Sequence, residues 1–350
     1  VEAMAENAQA GIDFLGATFF FNDSIILTPT EIILSDIDVL DTEGNHATLN
    51  GLLTHRYFKN LDYRIDINCQ NFKALNTTAK DNDLFYGTAY ATGNAVITGT
   101  DAHTNIVVDA TTEKNTKLIV PIGASVATEN SFITFVSHDT TPDVKTEIDP
   151  FAQPLADKDS ELKFNLMVNV TPNAEVQIYV DPKSGDVLKA TGDGDIRIEY
   201  NDKTEDFKMY GSYEIEQGSY LFSFQEAIRK EFKVKQGGTV DWSGDPINPR
   251  VNIDGYYQLN ASLLDILDQS YLESSNRTTV PVQCLLNLTG NLSNPTIKFG
   301  INLPNSDEEL NRALQTTIST DEMMTREIIY LLVLGKFFTP ETMKSTGTVF

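Results

Sequence analysis

The stretch from Gly211 to Leu259 decides the fold prediction, and it reads GSYEIEQGSYLFSFQEAIRKEFKVKQGGTVDWSGDPINPRVNIDGYYQL. Apolar or aromatic residues alternate with polar ones around Gln217-Gly218, and they do so again on both sides of Gly237-Gly238. Period-two alternation across a glycine turn is typical of β-hairpins. The stretch therefore predicts two consecutive hairpins, a break at SGDPINP (243–249), and a further strand.

The same alternation continues outward from this stretch in both directions. Between residues 162 and 198, one apolar set alternates with polar neighbours in three predicted strands, which indicates sheets with one apolar face and one solvated face. We therefore expect an antiparallel, one-sided sheet. An Asn-Pro turn followed by an alternating strand occurs at 248–253 and again at 294–299, which suggests that the sheet grows by repetition of one unit.

Both ends of the chain carry helical patterns. Ala3, Met4, Ala8 and Ile12 fall near one face of a helix, so the sequence predicts a short helix between Val1 and Phe14. Near the other end, capping-box patterns at 306–309 and 319–322 predict two helices, and Gly335 is expected to end the second. The second helix is apolar nearly all round, so we expect it to be buried, either as a cover for the sheet or as a docking element for a partner.

The predicted fold class is mainly β: an elongated, curved antiparallel sheet or open β-trough with an apolar interior, capped by a short C-terminal helical pair. Residues 137–160 contain three prolines and an acidic run, which favours a loop and an internal boundary. We expect a β-rich segment with the N-terminal helix at 1–136, a second β segment at 161–303, and helices with a tail at 304–350.

Composition excludes several function classes. The chain has 26 Lys and Arg against 50 Asp and Glu, a net charge of −24, which argues against nucleic-acid binding. No zinc-ligand spacing, phosphate-binding loop or nucleophile elbow is present, so we expect no enzyme activity, no metal and no cofactor. The glycine-rich turn around Asp193 lacks the ligand spacing of a calcium loop.

The two cysteines, Cys69 and Cys284, each lie in an alternating apolar strand pattern. The default expectation is two free thiols that pack as small apolar side chains. A disulfide is the alternative in an oxidising compartment, although sequence cannot show that the two residues meet.

The central stretch also resembles a known family. Its order of glycines, aromatics and an SGDPINP turn is similar to the TamB C-terminal domain family, which belongs to the AsmA-like proteins. The likeness rests on the following residues: Tyr213, Gly218, Tyr220, Gly237, Gly238, Trp242, Gly244, Asp245, Pro246 and Asn248. These residues indicate a family and no particular chemistry.

The resemblance implies a periplasmic setting in a Gram-negative bacterium. It implies an inner-membrane anchor upstream of the chain, since members of the family carry one at their N-terminus. The sequence itself shows no signal-peptide pattern at Val1, and its longest apolar run, 328–334, is too short to span a bilayer. It also implies an apolar conduit for phospholipid transport to the outer membrane, or help in assembling outer-membrane proteins. The implied partners are an Omp85-type outer-membrane barrel, phospholipid acyl chains, and unfolded outer-membrane protein strands.

If the sheet stays open, its apolar face forms a binding surface, and if it closes, the same residues form an ordinary core. Alternation alone fits both. The candidate lining residues are Phe164, Leu166, Val168, Ile178, Ile196, Ile198, Val251 and Ile253. The alternative function is an extracellular β-rich glycan-binding or adhesion module, in which Trp242, Tyr256 and Tyr257 stack on sugars, although a lone Trp beside such a turn is more often a hairpin anchor.

Overall fold

The computed structural model describes residues 1–12, 15–81, 85–121, 161–181, 185–224, 228–268 and 279–339. The loop and boundary predicted at 137–160 lie outside the described residues. The protein is mainly β, as the alternation predicts, and its seventeen strands belong to one sheet. Nothing in the structure tests the predicted domain boundaries.

The strands of the N-terminal half are β1 (Glu2–Ile12), β2 (Ala17–Leu27), β3 (Glu31–Leu40), β4 (His46–Arg56), β5 (Lys59–Thr77), β6 (Tyr86–Thr100), β7 (His103–Thr112) and β8 (Lys117–Pro121). The strands of the C-terminal half are β9 (Glu161–Val170), β10 (Glu175–Asp181), β11 (Asp186–Asn201), β12 (Asp206–Phe224), β13 (Ile228–Val234), β14 (Gly238–Gly244), β15 (Arg250–Ser262), β16 (Thr279–Asn291) and β17 (Thr296–Asn302). Two helices follow, α1 (Glu308–Thr317) and α2 (Asp321–Leu334).

The predicted N-terminal helix is wrong. Residues Glu2–Ile12 form β1, which pairs antiparallel with β2 and contains a bulge between Ala5 and Ala8. The bulge explains the error, because it shifts the alternation by one residue and thereby produces spacings that imitate a helical period.

Most neighbouring strands are joined by hairpins and run antiparallel, from β1 through β6 and from β9 onward. The expectation of a purely antiparallel sheet is nevertheless wrong at one place. There β7 pairs in parallel with β9, and β8 pairs in parallel with β10. These two parallel ladders join the halves of the sheet.

Around this junction, six strands form a closed ring of ladders in the order β6, β7, β9, β11, β10, β8. One edge of β6 pairs with β5, so β7 and β8 lie end to end along its other edge. In the same way β9 and β10 lie end to end along one edge of β11. The gap between β7 and β8 lies beside the gap between β9 and β10. Two hydrogen bonds join them: the Thr171 amide donates to Thr112 Oγ1 (2.9 Å), and the Thr171 hydroxyl donates to the Thr112 carbonyl (2.9 Å).

The two hairpins predicted from the central stretch are also wrong, although the strand character is right. Gln217-Gly218 lies inside β12, a strand of 19 residues, opposite a register shift in β11. Gly237-Gly238 separates β13 from β14, and both of these strands run antiparallel to β12 along the same edge. Gly237 has a positive φ of 89°. The glycine pair therefore serves a bulge in one interrupted strand, because the same backbone freedom suits a bulge and a turn.

The C-terminal helices form as predicted, with different caps. The N-cap of α1 is Asp307, whose side chain makes no capping hydrogen bond, and the N-cap of α2 is Thr320, whose hydroxyl accepts from the Met323 amide. Gly335 ends α2 in a left-handed conformation, as expected. Burial of α2 is one-sided: Ile328, Leu331 and Leu332 are buried, whereas Val333 and Leu334 are exposed.

Buried apolar residues are distributed unequally between the halves. Before residue 122 they comprise Ala17, Ile37, Ala47, Phe72, Leu75 and Tyr90, and all others described lie after residue 160. The C-terminal sheet curls round a filled core, which brings Phe222 of β12 within 5.8 Å of Phe299 of β17 between ring centroids. Leu314 of α1 and Leu331 of α2 belong to that core. The helices therefore cover the C-terminal half.

Candidate functional site: an open apolar face

The register of the ladders places one apolar face across the strands from β3 to β7 and on to β9 and β11. One line of paired residues runs across successive strands: Ile37, Leu49, Ile67, Ala95, Val108, Leu166 and Ile198. A second line runs beside it: Ile65, Ile97, Ile106, Phe164 and Tyr200. Paired residues on neighbouring strands point to the same side, so these side chains share one surface.

Within the described residues, the buried core does not extend over this face between β4 and β9. We call it the open face and define it by the following half-buried residues: Leu49, Leu53, Ile65, Ile67, Ala95, Ile97, Ile106, Val108, Phe164 and Leu166. None of them belongs to the buried core cluster, which begins at Val170 and has Val168 at its margin. Each side chain is shielded by its neighbours on the same face, and the tightly packed core does not extend over it.

The opposite face of the same strands is mixed: it carries charged and polar side chains, together with the exposed Leu52, Val107 and Met167. Asp66 lies between Ile65 and Ile67 and forms an ion pair with Arg64 at 2.7 Å. His46 Nδ1 lies 2.9 Å from an Asp38 carboxylate oxygen. The charged side chains of these strands thus lie on the solvated side, whereas the residues that define the open face are all apolar.

The open face is long enough for acyl chains. Five strand rows, β4, β5, β6, β7 and β9, cross it, and at about 4.8 Å between rows they cover about 19 Å. One leaflet of a bilayer has about 15 Å of hydrocarbon, half of the ~30 Å core. An acyl chain could therefore lie across the five strands without leaving the apolar surface.

One end of these strands is held together tightly, and we call it the Asp41 end. Phe19 of β2 reaches Phe72 of β5, with ring centroids 5.3 Å apart. Gly16 lies against β5, where an added Cβ would meet the Asn76 carbonyl oxygen at 2.2 Å. The sheet is therefore strongly curved at the Asp41 end, which brings β2 against β5.

Asp41 itself is 3% exposed, and its carboxylate accepts from the amides of Glu43, Asn45 and Lys73 at 2.8–2.9 Å. Burial alone would raise its pKa, but hydrogen bonds from Asn45 and these amides outweigh burial and hold the pKa below its ordinary value. Tyr90 donates to Glu43 Oε1 at 2.7 Å, and this hydrogen bond, together with burial, raises the pKa of Tyr90 to about 12.

The structure separates the predicted lining residues into two groups. Phe164, Leu166 and Val168 of β9 are half-buried, and the first two lie on the open face. Ile198 is partly buried against the core. Ile178, Ile196, Val251 and Ile253 are 1–5% exposed and belong to the packed core. A lipid-lining role for any of the eight stays a prediction.

Most of the open face was missed by the sequence reasoning. Ile65 and Ile67 lie in a strand whose alternation is visible in the sequence, and so do Ile106 and Val108. That signal identifies the strands. It does not show which of the apolar strand faces are covered, because coverage depends on where the helices pack.

The family-motif residues build the fold of the C-terminal half. Tyr213 and Tyr220 are 3% and 2% exposed, and the Tyr220 hydroxyl donates to Asp186 Oδ2 at 3.2 Å. Burial raises the pKa of Tyr213. Gly218 lies close to β11, where an added Cβ would come within 2.7 Å of the Lys189 carbonyl oxygen.

The SGDPINP turn is tied to the sheet by its neighbours. Trp242 Nε1 donates to the Pro246 carbonyl at 3.1 Å, and Asp245 Oδ1 accepts from the Ile247 amide at 3.1 Å. Gly244 has φ of 131° at the end of β14. Asn248 Oδ1 accepts from the Ser293 hydroxyl at 2.5 Å, which joins this turn to the second Asn-Pro turn. The repeat seen in the sequence is therefore a pair of contacting turns.

Trp242 is 7% exposed, and its indole anchors the turn, so its ring is not available to stack on a sugar. Tyr257 packs against Phe232, with 6.0 Å between ring centroids, and Lys230 lies over its ring. These contacts remove two of the three aromatic residues on which the glycan-binding alternative depended.

Both cysteines are free thiols. Cys284 lies in the core, and burial raises its pKa to about 12. Cys69 is half-buried and pairs with Ala47 and Gly93, which places it on the same face as Ile67. The Cys69 thiol is thus a natural reporter beside the open face.

Among the described residues, no group of three or more His, Cys, Asp or Glu side chains could hold a metal ion. No helix in the described ranges is long and apolar enough to cross a bilayer.

Comparison with known proteins identifies the family of this chain. No curated protein matches the chain. The family model described as the TamB C-terminal domain matches residues 35–349, which extends the likeness from the central stretch to nearly the whole chain, including the open face and the helices. The chain belongs to the TamB C-terminal domain family.

Proposed function

We propose that this protein binds phospholipid acyl chains on its open face and passes them along the cell envelope toward the outer membrane. Membership of the TamB C-terminal domain family supports a role in cell-envelope biogenesis. The observation that carries the lipid proposal is the uncovered apolar surface from Leu49 to Leu166, in a chain whose other half has a filled core.

The energetics fit a conduit. Each methylene transferred from water to an apolar surface gains about 0.8 kcal/mol, so ten half-covered methylenes would gain about 4 kcal/mol. The same ten methylenes gain about 8 kcal/mol when a bilayer covers them fully, so the open face lies about midway between water and the bilayer in free energy. A conduit needs this balance, because a cargo that binds too tightly would not leave.

Two adjacent residues of β7 provide a matched test. Val108 lies on the open face, and Val107 lies on the opposite face at 42% exposed. We expect co-purifying phospholipid with the unaltered chain and with Val107→Asp, detected by native mass spectrometry and lipid extraction, and little with Val108→Asp. Thermal unfolding of both variants controls for folding. Equal phospholipid in the two variants would count against the open face as the binding surface.

Cys69 gives a second readout on the unaltered sequence. A maleimide should modify Cys69 more slowly when phospholipid is bound, whereas Cys284 is buried and should not react in the folded chain. Cys69→Ser sets the background. Modification at the same rate with and without bound phospholipid would place the lipid away from this face.

We further propose a setting in the periplasm, with an anchor in the inner membrane upstream of the chain and an Omp85-type barrel at the outer membrane as partner. Family membership supports this setting. Co-purification of the chain with such a barrel from solubilised envelopes tests the partner. Recovery no greater than with an unrelated outer-membrane barrel would contradict it.

A further inference from the structure

The hairpin between β4 and β5 carries an exposed aromatic pair at its tip. Tyr57 is 86% exposed and Phe58 is 72% exposed. Both residues have left-handed backbone conformations, with φ of 54° and 59°. Two-residue hairpins with such φ values strongly favour Asn-Gly, because larger side chains are strained there. The sequence thus carries two large aromatic residues where the backbone favours small ones.

The tip is held in shape from below. The ring of Phe58 stacks on His55, with 4.5 Å between centroids and 14° between planes, and the Phe58 amide donates to His55 Nδ1 at 3.3 Å. His55 is itself 6% exposed. Phe58 is therefore presented outward on a packed support, which reduces the conformational entropy that its binding to a partner would cost.

Two cations flank the aromatic pair. Arg56 and Lys59 face each other across the turn and are both exposed. Neither forms an ion pair within the ranges that the structure describes, although the chain carries a net charge of −24. Aromatic side chains settle at the boundary between headgroups and hydrocarbon, and basic side chains beside them reach lipid phosphates.

We propose that the Tyr57-Phe58 tip inserts into the headgroup region of a phospholipid bilayer, with Arg56 and Lys59 on lipid phosphates. The inference rests on the proposed function for its setting and adds the place where lipid and protein first meet. The last open-face pair before the turn is Leu53 with Tyr63. A tip in the bilayer would therefore hold this rim of the open face at the membrane surface.

The test uses vesicles of phosphatidylethanolamine with a minor share of phosphatidylglycerol. The double variant Tyr57→Asn with Phe58→Gly gives the turn its favoured residues, so it should fold at least as stably as the unaltered chain. We expect its vesicle partition, measured by flotation, to fall about tenfold or more, because two exposed aromatic rings are lost. Val333→Ser, which removes a 54% exposed apolar side chain from α2, should leave partition unchanged.

A Tyr57→Trp variant reports insertion directly. The one native tryptophan, Trp242, is buried, so a blue shift on adding vesicles would come from position 57. Unchanged partition of the double variant would overturn the proposal. Absence of partition by the unaltered chain would also overturn it and would favour a protein partner for the tip. Loss of vesicle binding in the double variant with bound phospholipid retained supports the tip independently of the open face. Retention of both vesicle binding and bound phospholipid would overturn the tip proposal and leave the proposed function standing.

Discussion

Two isoleucines that share the same alternating strand pattern should differ in how much folding stability is lost when each is replaced by alanine. Ile253 of β15 is 1% exposed in the C-terminal core, and Ile67 of β5 is half-buried on the open face. An Ile→Ala change removes three carbons, worth about 2.4 kcal/mol of transfer free energy at ~0.8 kcal/mol per buried methylene. In a packed core the cavity raises the cost, so we expect Ile253→Ala to lower the free energy of unfolding by about 3–4 kcal/mol.

Ile67 is less completely buried and leaves no closed cavity, so Ile67→Ala should cost only about 1.5–2 kcal/mol. The assay is urea unfolding followed by far-UV circular dichroism, which reports both halves, whereas Trp242 fluorescence reports only the C-terminal core. Bound phospholipid should stabilise the unaltered chain more than Ile67→Ala. Equal losses in the two variants would refute the reasoning, since they would show that Ile67 is as tightly packed as Ile253.

Three further predictions concern titratable groups. Glu327 of α2 is 2% exposed, accepts from the Phe338 amide at 2.8 Å, and has its pKa raised by burial. Folding stability should therefore fall as pH rises through that raised pKa. In thermal unfolding at several pH values, Glu327→Gln should flatten this dependence. A pH profile that is the same in the variant would exclude Glu327 as its source. Asp41 has a lowered pKa, so its contribution to folding stability is complete above the ordinary aspartate pKa and is lost as pH falls through the lowered pKa. Asp41→Asn should lower the free energy of unfolding by about 2–3 kcal/mol in urea at neutral pH. A loss below ~0.5 kcal/mol would contradict the hydrogen-bonding account. Burial raises the pKa of both thiols, so maleimide should modify half-buried Cys69 faster as pH rises and should reach Cys284 only on unfolding; early modification of Cys284 would show that the core opens.

The strand content and the family could be predicted from local pattern, but the turns could not. Gly237-Gly238 has the sequence of a hairpin turn and serves as a bulge between β13 and β14. The two outcomes use the same backbone freedom and differ in which strand pairs with which. Pairing over long sequence separation decides between them, and period-two alternation carries no information about it.

The location of the open face was hidden for a related reason. Ile253 and Ile67 have the same alternating sequence context, and one is core while the other is half-buried. The difference arises because the C-terminal sheet curls over itself and α1 and α2 pack there. The alternation is clearest after residue 161, so the predicted lining residues were chosen there, in the half of the sheet that has the packed core.

The helix caps show the usual limit of boundary prediction. Both N-caps lie one residue after the expected position, and Thr320 takes the role that the pattern gave to Ser319. Ser306 and Asp307 are adjacent at the first helix, and Ser319, Thr320 and Asp321 at the second, so several residues offer an acceptor near the first turn.

The parallel ladders at the junction have a consequence for the order of folding during synthesis. β1 to β8 contact partners that are near in the chain, so the N-terminal half can assemble early. The edges of β7 and β8 then wait for β9 and β10, which are made some forty residues later than β8. An unpaired edge beside an apolar surface attracts other unfolded chains. Folding yield should therefore depend on how fast the second half arrives, and the nascent chain is most exposed to aggregation before it reaches Glu161.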